Sequence, residues 1–386
     1  MKLCLYFQVH QPYRMKNYSV LDIGQSKEYF DEEKNKEIMK KVARKCYLPT
    51  NNIILSLLNK YPEFKVTYSI TGTAIEQFKK YSPEVLESFK EIAKTGKVEF
   101  LAETYYHSLA AIFSDQEFKE QVELHKKTIK ELFNQEPKVF RNTELIMNNV
   151  IASKVKSLGF NGLLMEGTEK ILGWRSSNYL YQVSELPTLM KNYKLSDDIA
   201  FRFSNKEWKD HPLTTEKFIE WIRKSEGETI NLFMDYETFG EHQWEDTGIF
   251  NFLNILPETA LLAGIGFRTV SEALKLETKD TIEVPTLISW ADVERDTSAW
   301  LGNEMQDFAA KKLYSLEKEI RNSKELQETW RKLSTSDHFY YMCTKWFQDG
   351  DVHKYFNPYN NPYDAFIAYM NILADITERL KTKVAQ

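Results

Sequence analysis

The sequence predicts an α/β protein: a parallel barrel of seven or eight strand and helix units with a small all-helical region behind it. Three observations predict this. From residue 1 to about 273, short β-branched or aromatic runs alternate with helical patterns. The alternation repeats often enough to favour a closed or nearly closed sheet over an open one. After residue 300 the helical periodicity continues without a strand signal.

The candidate strands, in order, are LCLYFQVH (3–10), FKVTYSIT (64–71), VEFLAE (98–103), KVFRNTE (138–144), FNGLLME (160–166), IAFRFS (199–204), INLFMDYE (230–237) and, more weakly, FRTVSE (267–272). Helical patterns lie between them. In 83–94, Pro83 stands at the first helical position, where its missing N–H costs nothing. In 115–133, Ser114 followed three residues later by Glu117 reads as a capping box. Residues 303–321, 323–347 and 363–383 read as a helical bundle. The segment 282–302 between barrel and bundle is aromatic, acidic and irregular, too long for a mere connector.

Composition narrows the function. With 51 basic against 56 acidic residues the net charge is −5, and no basic block is present, so nothing suggests a nucleic-acid or anionic-membrane surface. The opening MKLCLYFQVHQPYR is too polar for a signal-peptide core, and no stretch reaches the ~20 apolar residues of a spanning helix. Three widely spaced cysteines, Cys4, Cys46 and Cys343, form neither a disulfide framework nor a zinc pattern, so a cytoplasmic protein is expected. The aromatic content of 14 % supplies rings that either pack in the core or stack on sugars.

A parallel barrel places its reactive groups at the C-terminal ends of the strands. Those ends read His10, Thr71, Glu103, Glu144, Glu166, Ser204 and the pair Asp235 and Glu237. Each carboxylate alone could cap a helix or pair with a lysine. Together, carboxylates around a sugar-sized cleft suggest glycoside hydrolysis, in which one protonates the leaving oxygen and another supports the anomeric carbon. Arg141 is an available cation for Glu144, although in an ideal strand the two point to opposite faces. The close HxxxH arrangement of a metal-dependent deacetylase is absent, as are HExxH, GxSxG, GxGxxG and a Walker loop, so no metal or cofactor is expected.

Five pieces in order, HQP (10–12), GKVEFLAETYYHSL (96–109), VFRNTELIMNN (139–149), LFMDYETFGEHQW (232–244) and ISWAD through DTSAWLGN (288–303), resemble the conserved regions of glycoside hydrolase family 57, particularly its archaeal-type α-amylases. The resemblance implies a distorted (β/α)7 TIM-like barrel over 1–281, a bridge over 282–302 contributing to the cleft, and a helical bundle over 303–386. It implies an intracellular retaining enzyme acting on α-1,4-glucans in starch, glycogen or maltooligosaccharides. A 4-α-glucanotransferase or branching enzyme would use the same carboxylate pair, and a non-catalytic glucan-binding chain would be expected to lack one of them. Glu144 falls where the family has its nucleophile and Asp235 where it has the general acid/base. His10 and Gln11 match the motif that contacts the sugar, and His107 and His242 lie in motifs of the same set. Glu237 shares a strand face with Asp235 and either bonds a sugar hydroxyl, raises the pKa of Asp235 as a like charge, or caps the turn. Trp174, Trp244, Trp290 and Trp300 are candidate stacking platforms, and Asp292, Glu294 and Asp296 could bind hydroxyls or solvate a loop. His125, His211, His338 and His353, and Trp208, Trp221, Trp330 and Trp346, lack a motif and read as structural.

Overall fold

The computed structural model describes residues 1–345 and 357–384. Ten strands are present among them: β1 (Lys2–Val9), β2 (Val66–Ile70), β3 (Val98–Phe100), β4 (Val139–Arg141), β5 (Gly162–Glu166), β6 (Leu180–Val183), β7 (Leu186–Lys191), β8 (Thr229–Asp235), β9 (Gly266–Phe267) and β10 (Thr278–Thr281). They form two sheets, one ordered β3-β2-β1-β8 with β9 beside the start of β1, the other ordered β10-β6-β7-β5-β4. The two sheets meet at single seams. Ala102 and Phe140 bridge β3 to β4, and the Asn192 N–H donates to the Asn231 carbonyl at 2.9 Å between β7 and β8. The circuit is therefore β1-β2-β3-β4-β5-β7-β8, a seven-stranded barrel that is distorted because two of its joints are a residue wide.

Alternation along β1 sets inside against outside. Leu3, Leu5, Phe7 and Val9 pack with the surrounding helices, while Cys4 and Tyr6 join Leu101, Leu164, Leu189 and Phe233 in a separate interior cluster. Register then carries this inward face to the site: Cys4 lies beside Asn231, Tyr6 beside Phe233 and Gln8 beside Asp235. The lumen turns from apolar to polar towards the C-terminal ends, which is where the carboxylates gather.

Two expected strands are corrected. Residues 199–204 are not a strand, because Tyr193–Ala200 is helical and turns follow; the missing barrel strand is β7, in a hairpin with β6. Its tight turn is made by Ser184 and Glu185 at φ 48° and 61°, a left-handed pair that glycine or asparagine normally announces. In 267–272 only Gly266–Phe267 is extended, and Thr269 then caps the short helix Val270–Ala273. The capping box at Ser114 is half formed: its hydroxyl accepts the Glu117 N–H at 3.1 Å, but the Glu117 carboxylate turns away to Arg321 and Arg331.

Behind the barrel run the helices Glu304–Ser315, Glu317–Ile320, Lys324–Leu333, Ser336–Tyr340 and Pro362–Val384. They share a second core with barrel side chains, in which Trp300, Trp330 and Tyr369 pack with Phe140, Ile146 and Met165. Residues 323–347 are not one helix. The chain breaks at Ser334 and Thr335, so that the next short helix starts against the barrel, with the Ser336 N–H on the His107 carbonyl at 2.9 Å. No described helix is long and apolar enough to cross a membrane.

Candidate active site

One cavity at the C-terminal ends of the strands is lined by Gln8, His10, Gln11, Pro12, Arg14, His107, Glu144, Asp235, Glu237, His242 and Asp337. Its volume, ≈ 50 Å³, is room for about four water molecules. The lining groups therefore converge on one small polar space.

Glu144 sits just past β4 in the turn Thr143–Leu145, with φ 56°. Left-handed backbone at a residue with a Cβ costs on the order of 1–3 kcal/mol and persists only where surroundings impose it. The surroundings here are three donors. His107 Nε2 reaches Oε1 at 3.1 Å, the Ser336 hydroxyl reaches Oε1 at 3.3 Å, and the Trp290 indole N–H reaches Oε2 at 2.7 Å. All three favour the ionised carboxylate.

His107, itself at φ 51°, is held on its other side by Glu103, with Nδ1 to Oε2 at 3.2 Å. Burial opposes charging this imidazole, yet the hydrogen bonds to Glu103 and Glu144 prevail and raise it to about 9. Glu103, buried at the end of its strand, is kept below the ordinary carboxylate value by His107 despite the opposing effect of burial. Glu103, His107 and Glu144 thus form an anion, cation, anion row, which Gln8 extends by donating Nε2 to Glu103 at 3.1 Å.

His10 stacks on His107 with ring centroids 4.0 Å apart. Burial and the adjacent His107 charge lower its pKa, against the pull of Asp337. A neutral His10 then donates Nε2–H to Asp337 Oδ2 at 2.9 Å and accepts the Thr71 hydroxyl at Nδ1 at 3.0 Å. Gln11 bridges the Tyr47 hydroxyl and Arg14.

Asp235 closes β8, and the turn Tyr236–Thr238 brings Glu237 beneath His10, whose backbone N–H donates to Oε1 at 3.3 Å; the Tyr47 hydroxyl donates to the same oxygen. Burial and the neighbouring Asp235 raise Glu237 to about 8. At neutrality Glu237 keeps its proton and offers an O–H, not a second charge. His242 reaches the cavity through the tight turn at Gly240 (φ 108°), where an added Cβ would lie 2.0 Å from the Lys45 carbonyl oxygen.

The remaining candidates are not among the residues that line the cavity. Arg141 is fully buried, and its guanidinium lies 4.7 Å from the centre of the Trp290 ring without a hydrogen bond to any described residue. Trp290 is no open platform, because Arg141 and Lys191 both lie against its ring and its N–H is spent on Glu144. Trp300 is buried against Tyr340 in the second core and presents no face to a ligand. Trp174 is 90 % exposed on a surface loop, with Arg175 over its ring, and Trp244 carries Lys45 over its ring. Asp292 pairs with Lys345 at 3.3 Å, and Asp296 accepts from the backbone and hydroxyl of Ser298. Glu166 does not face the cavity: it is buried near Lys191 and Arg295, 3.7 and 3.8 Å away. His125, His338 and Trp330 are buried as structural residues, while His353 and Trp346 lie outside the described residues.

Sequence reasoning missed Gln8, Arg14, Ser336 and Asp337. Gln8 was within reach, since two-residue alternation back from His10 gives it the same inward face. Ser336 and Asp337 were hidden inside a continuous helical pattern.

A parallel barrel that gathers strand-end carboxylates and three histidines around one small cavity is built as a glycoside hydrolase. Residues 4–285 match the sequence model of glycosyl hydrolase family 57, and the chain belongs to that family. A protein named as a putative alpha-amylase from Methanocaldococcus jannaschii is 47 % identical, over 98 % of this chain and 85 % of that one. A branching enzyme of the family from Thermococcus kodakaraensis superposes with a TM-score of 0.70 at 13 % identity, over 99 % of this chain and 91 % of that one. The alpha-amylase AmyC of Thermotoga maritima does so with 0.61 at 12 %, over 99 % and 94 %. At these identities the two structures bear on the fold alone.

Proposed function

We propose that the protein is a retaining α-amylase, hydrolysing α-1,4-glucosidic bonds in starch, glycogen or maltooligosaccharides. The observation that carries the reading is that Glu144 and Asp235 line the same small cavity, Glu144 among three hydrogen-bond donors and Asp235 at a strand end two residues from the buried Glu237. The name of the relative from M. jannaschii supports the substrate class.

In this reading Glu144 attacks the anomeric carbon while Asp235 gives its proton to the departing glycosidic oxygen, leaving a glycosyl-enzyme on Glu144. Water then attacks, Asp235 takes its proton, and the bond to Glu144 breaks. His107⁺ balances the ionised nucleophile from one side. His10, Gln11, His242 and Asp337 offer hydrogen bonds to sugar hydroxyls.

The test is incubation with maltooligosaccharides, following chain lengths by chromatography and the first-formed anomer by proton NMR. Shorter products of retained configuration are expected. Longer and shorter products together would replace hydrolysis with glucanotransfer or branching, unchanged substrate would leave a binding protein, and an inverted product would remove Glu144 as nucleophile.

A further inference from the structure

We propose that Trp290 is a positioning residue for Glu144, fixing its carboxylate and stabilising the charge that returns to it when the glycosyl-enzyme breaks down. The proposal rests on the reading of Glu144 as nucleophile.

Trp290 holds Glu144 at two points. Its indole N–H donates to Oε2 at 2.7 Å, and its backbone N–H donates to the Glu144 carbonyl at 3.2 Å. The ring lies 4.7 Å from the Arg141 guanidinium and 5.4 Å from the Lys191 ammonium. Cations against an indole draw on its π density, which makes the N–H a stronger donor. Trp290 is itself locked in place. Arg295 donates to the Trp290 carbonyl from Nη1 and to Asp197 from Nη2 at 2.9 Å, and Asp197 also accepts from Lys191 at 3.0 Å. One buried network therefore fixes both the tryptophan and a cation that polarises it.

The two chemical steps use this donor differently. When Glu144 attacks, its charge disappears into an ester as the bond to the departing sugar breaks and the Asp235 proton moves to the leaving oxygen. When water attacks, giving its proton to Asp235, the bond between the anomeric carbon and Glu144 breaks and the electron pair returns to the carboxylate. A donor fixed on Oε2 favours the returning charge. Its loss slows breakdown more than formation, by about ten- to a hundredfold for a hydrogen bond to a charged group.

The experiment compares wild type with Trp290→Phe on an aryl α-maltooligoside whose excellent leaving group makes the first step fast. Expected are a kcat lower by about ten- to a hundredfold, a KM that falls with it, and intact mass after rapid quenching that carries the glycosyl group. Trp290→His, which keeps an N–H, is expected to recover part of the turnover. Where Trp290→Phe does not fold, Arg295→Lys, with fewer donors to hold the loop, is expected to accumulate the same adduct. Unchanged KM with no adduct in the folded variants would mean a packing role and overturn the proposal. Glu144→Gln on the same substrate separates the two failures. If it turns over normally, the nucleophile reading falls; if it releases no aryl group while Trp290→Phe behaves as wild type, only the role of Trp290 falls.

Discussion

Replacing Glu237 with Gln is expected to stabilise the folded protein at neutral and alkaline pH and to do nothing in acid. The folded state raises this carboxyl from 4.5 to about 8, through burial and the nearby Asp235. Between these values the unfolded chain has released the proton that the native chain keeps. Native stability therefore falls as pH rises through this window, and above it the native state carries the full cost of an ionised Glu237. At 1.36 kcal/mol per pKa unit the cost is about 3 kcal/mol at pH 7, with a ceiling of about 5 kcal/mol above pH 8. Glutamine does not titrate, and its amide oxygen can still accept from the His10 N–H and the Tyr47 hydroxyl. Urea unfolding of both proteins at about pH 5, 7 and 9 would measure the gap. A stability difference that stays flat with pH, or a variant less stable at pH 9, would refute a carboxyl held neutral by its site.

Glu144→Gln and Asp235→Asn should each lower turnover by several orders of magnitude without loss of fold, and Asp235→Asn alone should still form a glycosyl-enzyme from an activated aryl glycoside. His107→Gln removes a cation held between two buried carboxylates and should cost about 3–5 kcal/mol. Because the folded state raises His107 from 6.5 to about 9, that contribution is full below pH 6.5 and fades as pH rises through 9, so the variant should lack this decline in pH-dependent denaturation. Ending the chain before residue 303 should abolish activity and leave insoluble protein, since the core around Trp300 loses its cover; a soluble, active truncation would contradict this.

The barrel was legible because its strands are continuous apolar runs, and the strand-end rule pointed at His10, Glu144, Asp235 and Glu237 without geometry. The β6–β7 hairpin was not, because Ser184 and Glu185 make a left-handed turn that their side chains do not advertise. Trp290 and Trp300 read alike in sequence, ten residues apart in the 282–302 segment. Only packing separates a ring against Arg141 and Lys191 from one enclosed in the helical core. Asp337 was unreadable for a related reason: a helix that breaks at Ser334 keeps its apolar periodicity across the break.

The donors on Glu144 come from three stretches of chain, at His107, Trp290 and Ser336, and the His10 ring hydrogen-bonds a carboxylate at Asp337. During synthesis all seven barrel strands leave the ribosome long before residues 336 and 337. A nascent chain whose barrel has closed still holds Glu144 by fewer donors and His10 without its acceptor. The site is thus completed by one of the last helices made, and a partly translated chain has Glu144 and Asp235 but not the final setting of either wall.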